Sequence, residues 1–228
     1  VTTYSILDRP VYVFNDVDRL LGLAKGTARR WIDGYSRGGR TYAPVIRAEP
    51  TGDDTVTWGE FVETRLLAGF RRDVPMIRLR PAIQALREEF RTRYPLAHAR
   101  PYVDVQGREL VKAIQDEVGL DASLRLVVVR NGQMLLTEPA AQFRRSADFG
   151  EDKEVVQRLH PAPNIEEVWI DPNRQSGDPV VRGVPTSVLA ELFRAGDSIT
   201  QIADWYELQR TEVEAALRYE QLTAAGAA

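Results

Sequence analysis

The sequence predicts a mainly α fold of the α+β kind, with an N-terminal helix-turn-helix, a small β-rich middle region and a small helical C-terminal region. Three observations predict it. Apolar residues recur at helical spacing over residues 15–33, 58–71 and 79–93, with Gly22 and Gly34 as natural stops. β-branched runs flank Arg130-Asn131-Gly132, a strong hairpin signal. Ser198–Gln201 and Thr211–Glu214 read as capping boxes that open two helices near the C-terminus.

Taken in order, Asn15 is the expected N-cap of a first helix whose buried stripe is Val17, Leu20 and Leu21. Gly22 ends it. A second helix is expected from about Ala24 to Asp33, with Ala24, Ala28, Trp31 and Ile32 on one face. Gly26, Arg29, Arg30 and Asp33 point the other way, and Thr27 lies on a flank. Two short helices so spaced, the second basic outside, can present a helix to a DNA groove. Gly26 has a physical use there, since a missing side chain permits close approach. Val45-Ile46 and Val56-Thr57 are candidate strands of a wing, and Arg37, Arg40 and Arg47 are candidate phosphate contacts.

Helices are expected at 58–71, with Phe61, Leu66 or Leu67, and Phe70 inward, and at 79–93, with Ile83, Leu86 and Phe90 inward and Pro81 in the first turn. The middle region reads as a strand at Tyr102–Val105, a short helix at Glu109–Glu117, and the Asn-Gly hairpin. Residues 149–163 read as polar with some helix, ending in a His160-Pro161-Ala162-Pro163-Asn164 linker. In the tail, Val168–Ile170 and Val180-Val181 are strands around a turn-rich Asp171–Asp178 loop. A helix from Thr186 ends at Gly196, and residues 224–228 are expected to fray. Trp205, Tyr206, Leu208, Val213 and Leu217 are assigned to the core. The organisation follows as 1–98, 99–160 and 161–228.

Composition narrows the function classes. Without cysteine there are no disulfides, thiolate metal sites or Cys nucleophile. His98 and His160 stand far apart in Pro-rich sequence, unlike metal ligands. Asp171, Asp178 and Asp197 read as turn and cap residues rather than a catalytic set. With no phosphate loop either, the sequence points away from an enzyme and from a bound cofactor or metal. No apolar run is long enough to span a membrane and no secretory signal is visible, so a cytoplasmic location is expected. The net charge of −3 conceals an asymmetry. Residues 1–100 carry 17 basic and 12 acidic side chains, whereas residues 101–228 carry 13 and 21. Different partners for the two ends follow from this.

Two family resemblances sharpen the reading. GLAKGTARRWIDG, with its Gly-Leu turn and Arg-Arg-Trp, resembles the first helix pair of the MerR-type winged helix-turn-helix, and residues 55–86 are similar to that family's wing return and following helix pair. The wing segment is longer here, and no long C-terminal coiled coil follows. Residues 168–220 resemble a small helical domain of VapB-type antitoxins, through Asp-Pro, Gly-x-Pro-Val-Val-x-Gly, Pro-Thr, Gly-Asp-Ser, Ile-Ala-x-x-Tyr-x-Leu and Val-x-x-Ala-Leu-x-Tyr. Together they imply an antitoxin of a toxin–antitoxin pair, with a PIN-domain ribonuclease toxin and double-stranded operator DNA as partners, repression of its own operon, and a homodimer. The DNA contacts so implied are Lys25, Gly26, Thr27, Arg29, Arg30, Arg37 and Arg40. Because a PIN active site is built from carboxylates, Arg174, Arg182, Arg210 and Arg218 are the candidate toxin contacts. A stand-alone MerR-like regulator with a ligand-sensing C-terminal region is the alternative.

Overall fold

The computed structural model describes residues 5–70, 75–151, 154–162 and 164–226. It is α+β: helices carry five two-stranded antiparallel sheets among the described residues. Strand β1 (Pro10–Val13) pairs with β4 (Thr55–Thr57) and feeds directly into helix α1 (Phe14–Leu20). Val13, not Asn15, is the N-cap, and Asp16 reaches back to the Val13 N–H at 3.3 Å. Val17 and Leu20 are buried as expected. Helix α2 (Thr27–Ile32) starts three residues later than its periodicity suggests, because Gly26 adopts φ 78° and Ala24 stays exposed.

Helix α3 (Trp58–Leu67) is the centre of the fold, and every one of its residues is buried. Thr57 and Glu60 form a reciprocal capping box at its start. Arg71, the expected end of this helix, lies outside the described residues. Helix α4 (Arg80–Phe90) stops three residues early, where Arg91 turns to φ 52°.

Burial in α3 has a titration consequence. Desolvation pushes the Glu63 carboxyl up to about 8, against the lowering effects of Arg87 and of the Leu96 N–H at 2.9 Å. A carboxyl raised on folding withdraws stability as pH climbs from its unfolded value of 4.5 through 8. Glu63→Gln keeps the acceptor for Leu96 and removes the titration. It should raise stability by up to about 5 kcal/mol at pH 8.5 and leave it nearly unchanged at pH 4.5. Melts at the two pH values check this, and equal effects at both would refute it.

The middle region departs most from expectation. Tyr102–Val105 is not a strand: α5 (Arg100–Val103) and α6 (Val105–Glu117) meet there, and the Asp104 carboxylate accepts from Gln106 N–H at 3.0 Å to start α6. Tyr102 is fully buried, its hydroxyl donating to Leu96 O at 2.8 Å. The Asn-Gly hairpin is present as β5 (Val127–Arg130) and β6 (Gln133–Leu136), with Asn131 and Gly132 at φ 51° and 75°. An unforeseen helix, α7 (Glu138–Ser146), follows with Pro139 in its first turn, so the region is helical rather than β-rich.

Strands β7 (Ala147–Asp148) and β8 (Arg158–Leu159) then pair, and the described part of residues 149–163 forms no helix. His160 and Pro161 are buried, so this stretch is packed chain rather than a free linker; Pro163 lies outside the described residues. One apolar core runs from Leu7 to Ile170, and residues 1–98 and 99–160 share it. Trp58 Nε1 spans the two by donating to Val156 O at 2.8 Å.

A second core, from Ile165 to Tyr219, belongs to the C-terminal unit. There β9 (Val180–Val181) and β10 (Val184–Pro185) form a tight hairpin before α8 (Thr186–Ala195). Helix α9 (Ile199–Tyr206) opens on the Ser198–Gln201 box. Helix α10 (Arg210–Gly226) opens after Gln209, whose N–H donates to Glu212 at 2.7 Å, so only the reach-back half of a box is present, two residues before the expected place. The expected frayed end is helical to Gly226, and Ala227 and Ala228 lie outside the described residues. Leu208, Val213 and Leu217 are buried, but Trp205 is 58% exposed and Tyr206 is exposed too, which removes both from the core. The two units meet where Tyr219 donates to Leu20 O at 3.1 Å and Tyr12 donates to Gly177 O.

Candidate functional site

The α1–turn–α2 unit is locked by one buried carboxylate. Asp18 accepts from Gly26 N–H at 2.6 Å and from Ala28 N–H at 2.7 Å, while its own carbonyl accepts from Leu23 N–H at 2.8 Å. The orphan donors at the start of α2 are thereby satisfied from the previous helix, and a negative charge sits at the positive end of the α2 dipole. Ala28 and Ile32 are completely buried on the inner side. Lys25, Arg29 and Arg30 are exposed on the outer side.

Thr27 is not among the exposed residues. It is 7% exposed, and its hydroxyl accepts from Arg30 Nη2 at 2.9 Å, so it braces Arg30. Gly26 is required by its positive φ, not by crowding, for no atom lies within 4 Å of where a Cβ would sit. Arg29 lies 5.8 Å from the Phe14 ring and 3.7 Å from Asp54, in a largely exposed pair of little energetic weight.

A hairpin of β2 (Tyr35–Arg37) and β3 (Arg40–Tyr42) stands beside α2, and the sequence reading placed its strands wrongly. Gly38 and Gly39, at φ 58° and 74°, form its two-residue turn. Arg37 pairs with Arg40 at the tip, and Tyr35 stacks on Tyr42 at 4.5 Å. By the period of two, both pairs share one face. Val45 and Ile46 are buried instead, their N–H groups bonding to Trp31 O, and Val56 pairs with β1. Between α2 and the hairpin lies an open cavity of about 470 Å³, bordered by Thr27, Arg30, Trp31, Tyr35, Tyr42 and Met76.

Arg47, read from sequence as a phosphate contact, is 9% exposed and internal. It donates to Glu60 at 2.8 Å, Asp33 at 2.8 Å, Asp53 O at 2.9 Å and Thr55 O at 2.6 Å. Asp33, read as outward-facing, is buried beside it and accepts from the N–H groups of Thr51 at 2.7 Å and Gly52 at 3.0 Å. Burial alone would raise the Asp33 carboxyl; those donors and the guanidinium outweigh it and hold it below the usual range. Sequence missed this because an arginine's carboxylate partners, 14 and 13 residues away, leave no local pattern.

At the other end, the four candidate arginines do not converge. Arg174 and Arg182 border one pocket, Arg218 faces a different cleft with Glu167 and Glu214, and Arg210 is exposed at the start of α10. His160 Nδ1 lies 2.9 Å from Val168 O and His98 Nε2 lies 3.0 Å from Thr92. Burial lowers both imidazoles. Among the described residues no group of three His, Asp or Glu side chains is placed to hold a metal ion, and no helix is long and apolar enough to cross a membrane. Asp171 accepts from Asn173 N–H at 2.8 Å, a turn contact.

Comparison with known proteins adds four findings. Residues 168–219 match a family model described as a protein of unknown function, DUF433. The chain is 42% identical over 223 residues to the Mycobacterium tuberculosis protein Rv2308, described as uncharacterized, covering 94% of this chain and 92% of that one. It is 28% identical over 227 residues to a protein of the same organism named "Putative antitoxin VapB45", covering 92% and 93%. The crystal structure of Rv2018 from Mycobacterium tuberculosis superposes with a TM-score of 0.75 at 25% identity, covering 93% of this chain and all of that one.

Proposed function

The chain belongs to the family of the Mycobacterium tuberculosis protein Rv2308, and from that premise we propose that it is a DNA-binding antitoxin of a toxin–antitoxin pair. The observation that carries the DNA-binding half is geometric. Arg30, braced by Thr27 on a helix locked by Asp18, shares one cleft with a hairpin that ends in Arg37 and Arg40. In this reading α2, with Lys25, Arg29 and Arg30 outward, enters the major groove in MerR-like fashion and the hairpin tip grips phosphate as a wing.

The antitoxin half is supported by the VapB45-named relative and by the tail that matches its own family model. The partner in this reading is a PIN-domain ribonuclease, held by the acidic C-terminal unit. The protein acts as a cytoplasmic homodimer that represses its own operon. No catalytic role is assigned to it. Co-expression with the adjacent reading frame tests the proposal: a copurifying complex, rescue of growth and a gel shift on upstream DNA are the expected results. A neighbour that neither binds nor harms the cell would refute the antitoxin half, and no shift would refute the other.

A second reading is a stand-alone regulator that releases DNA on binding a small molecule. The cavity of about 470 Å³ beside Arg30 favours it, being of ligand size and largely apolar. Absence of a neighbouring toxin frame, with a gel shift retained, is its expected signature.

A further inference from the structure

We infer that the cavity between α2 and the β2–β3 hairpin binds a planar aromatic carboxylate, and that this ligand and DNA exclude each other by competing for Arg30. The chemistry of the lining specifies the ligand that the second reading above leaves open. The exclusion rests on the proposed DNA-binding role; the ligand site does not. At about 470 Å³ the cavity lies within the range of small-molecule sites, about 300–1,000 Å³.

Apolar surface gathers at this place. Tyr35, Tyr42 and Ile77 border the cavity and are 39%, 41% and 40% exposed. Apolar side chains left open around a concavity mark a binding site, as scattered ones do not. Tyr35 and Tyr42 are stacked at 8° with ring centres 4.5 Å apart, and the Trp31 indole borders the same space. A flat ring laid against these rings gains stacking contact that a saturated ring of the same size does not. A sugar or a free phosphate would press its polar atoms against apolar walls.

The cavity is formed in advance of any ligand. Trp31 O accepts from the N–H groups of Val45 at 2.8 Å and Ile46 at 2.9 Å, which ties the chain leaving the hairpin to α2. At the hairpin's other end Gly34, at φ 76°, lies so close that a Cβ there would collide with Tyr42 O. Both walls are thereby fixed, and a ligand pays little to order them.

Charge selects an anion. Arg30 is the charged side chain among the described residues that border the cavity. It donates to Thr27 Oγ1 at 2.9 Å, and among the described residues no carboxylate lies within 4 Å of it, whereas its neighbour Arg29 stands 3.7 Å from Asp54. The remaining donors of its planar fork match the two oxygens of a carboxylate. From Ala24 to Tyr42 the chain carries Lys25, Arg29, Arg30, Arg37 and Arg40 against one acid, Asp33, which is buried with Arg47. A cationic ligand is repelled from such a surface. The same Arg30 donors are the ones that DNA would take, so one guanidinium cannot serve both.

The test titrates the full chain by calorimetry with 2-naphthoate, alongside 2-naphthamide, 2-naphthylmethylamine and cyclohexanecarboxylate. Naphthoate should bind at least about tenfold more tightly than each of the others. Arg30→Gln should weaken naphthoate by about tenfold and naphthamide by less than about threefold. Ala43→Trp, which fills the cavity from its border, should weaken both by about tenfold or more, and melts establish that the variants fold. In anisotropy titrations naphthoate should raise the apparent Kd for upstream DNA in proportion to its concentration, and DNA should exclude naphthoate in turn. Cyclohexanecarboxylate at equal concentration controls for ionic strength. Naphthoate that fails to bind, binds no better than the amine or the saturated acid, or binds the Ala43→Trp protein unchanged overturns the site. Naphthoate and DNA bound together, each at its own affinity, overturn the exclusion. If naphthoate binds with these preferences but the protein shifts no upstream DNA, the DNA-binding reading fails and the ligand site stands.

Discussion

Arg47→Ala lowers stability by about 3–5 kcal/mol, the range for removing one member of a buried ion pair. The loss comes mainly from what stays behind. Asp33 and Glu60 remain buried with their guanidinium gone, and the carbonyls of Asp53 and Thr55 lose their donor. Arg47→Lys recovers little, because one ammonium cannot reach acceptors spread around a planar fork. Denaturant melts of the full chain measure it, and a midpoint within experimental error of wild type would sink the assignment. The loss should also grow with pH through the carboxylate range. Asp33 is held below its ordinary value, so its contribution is present above that value and fades as pH falls through the depressed one. Salt dependence of DNA binding separates this internal role from a phosphate contact, since an internal arginine leaves the slope unchanged.

On the proposed DNA-binding role, Arg29→Ala with Arg30→Ala should abolish specific operator binding, since each bidentate arginine–guanine pair is worth about 1–3 kcal/mol. Arg37→Ala with Arg40→Ala acts differently. It weakens all sequences alike and lowers the salt slope by roughly one unit for each phosphate no longer gripped. Thr27→Ala, at a residue that is 7% exposed, should act only through Arg30 and give a fraction of the Arg30→Ala effect. Fluorescence anisotropy on upstream DNA and on a scrambled duplex at several salt concentrations reads all three. Wild-type specificity in the Arg29, Arg30 double variant would remove α2 from the interface.

The local geometry of α2 was legible in sequence, and that of the hairpin beside it was not. Gly22, Gly34 and the Arg29-Arg30 pair announce a short basic helix between stops, and the structure exposes both arginines. The hairpin beside α2 was misplaced because Val45-Ile46 has the β-branched content of a strand, yet its donors go to a single carbonyl, that of Trp31. The tip of the true hairpin reads as Arg-Gly-Gly-Arg, whose signal lies in the two glycines rather than in apolar alternation. The middle helices α5 and α7 were missed because each carries a proline in its first turn, which reads as a breaker until the helix behind it is seen.

What sequence alone determined is local: where the Ser198–Gln201 cap opens a helix, where Asn131-Gly132 reverses the chain, which stripe of α1 is apolar, and that basic charge gathers near the N-terminus. These depend on residues within one or two turns of each other, so spacing suffices. Tertiary structure decided which charges face water. Arg47 and Arg37 are the same residue type ten positions apart, one enclosed by Asp33 and Glu60 and the other at a hairpin tip. The difference lies in which distant carboxylates the packed core brings within 3 Å, and the desolvation that makes such a pair strong exists only once that core has closed.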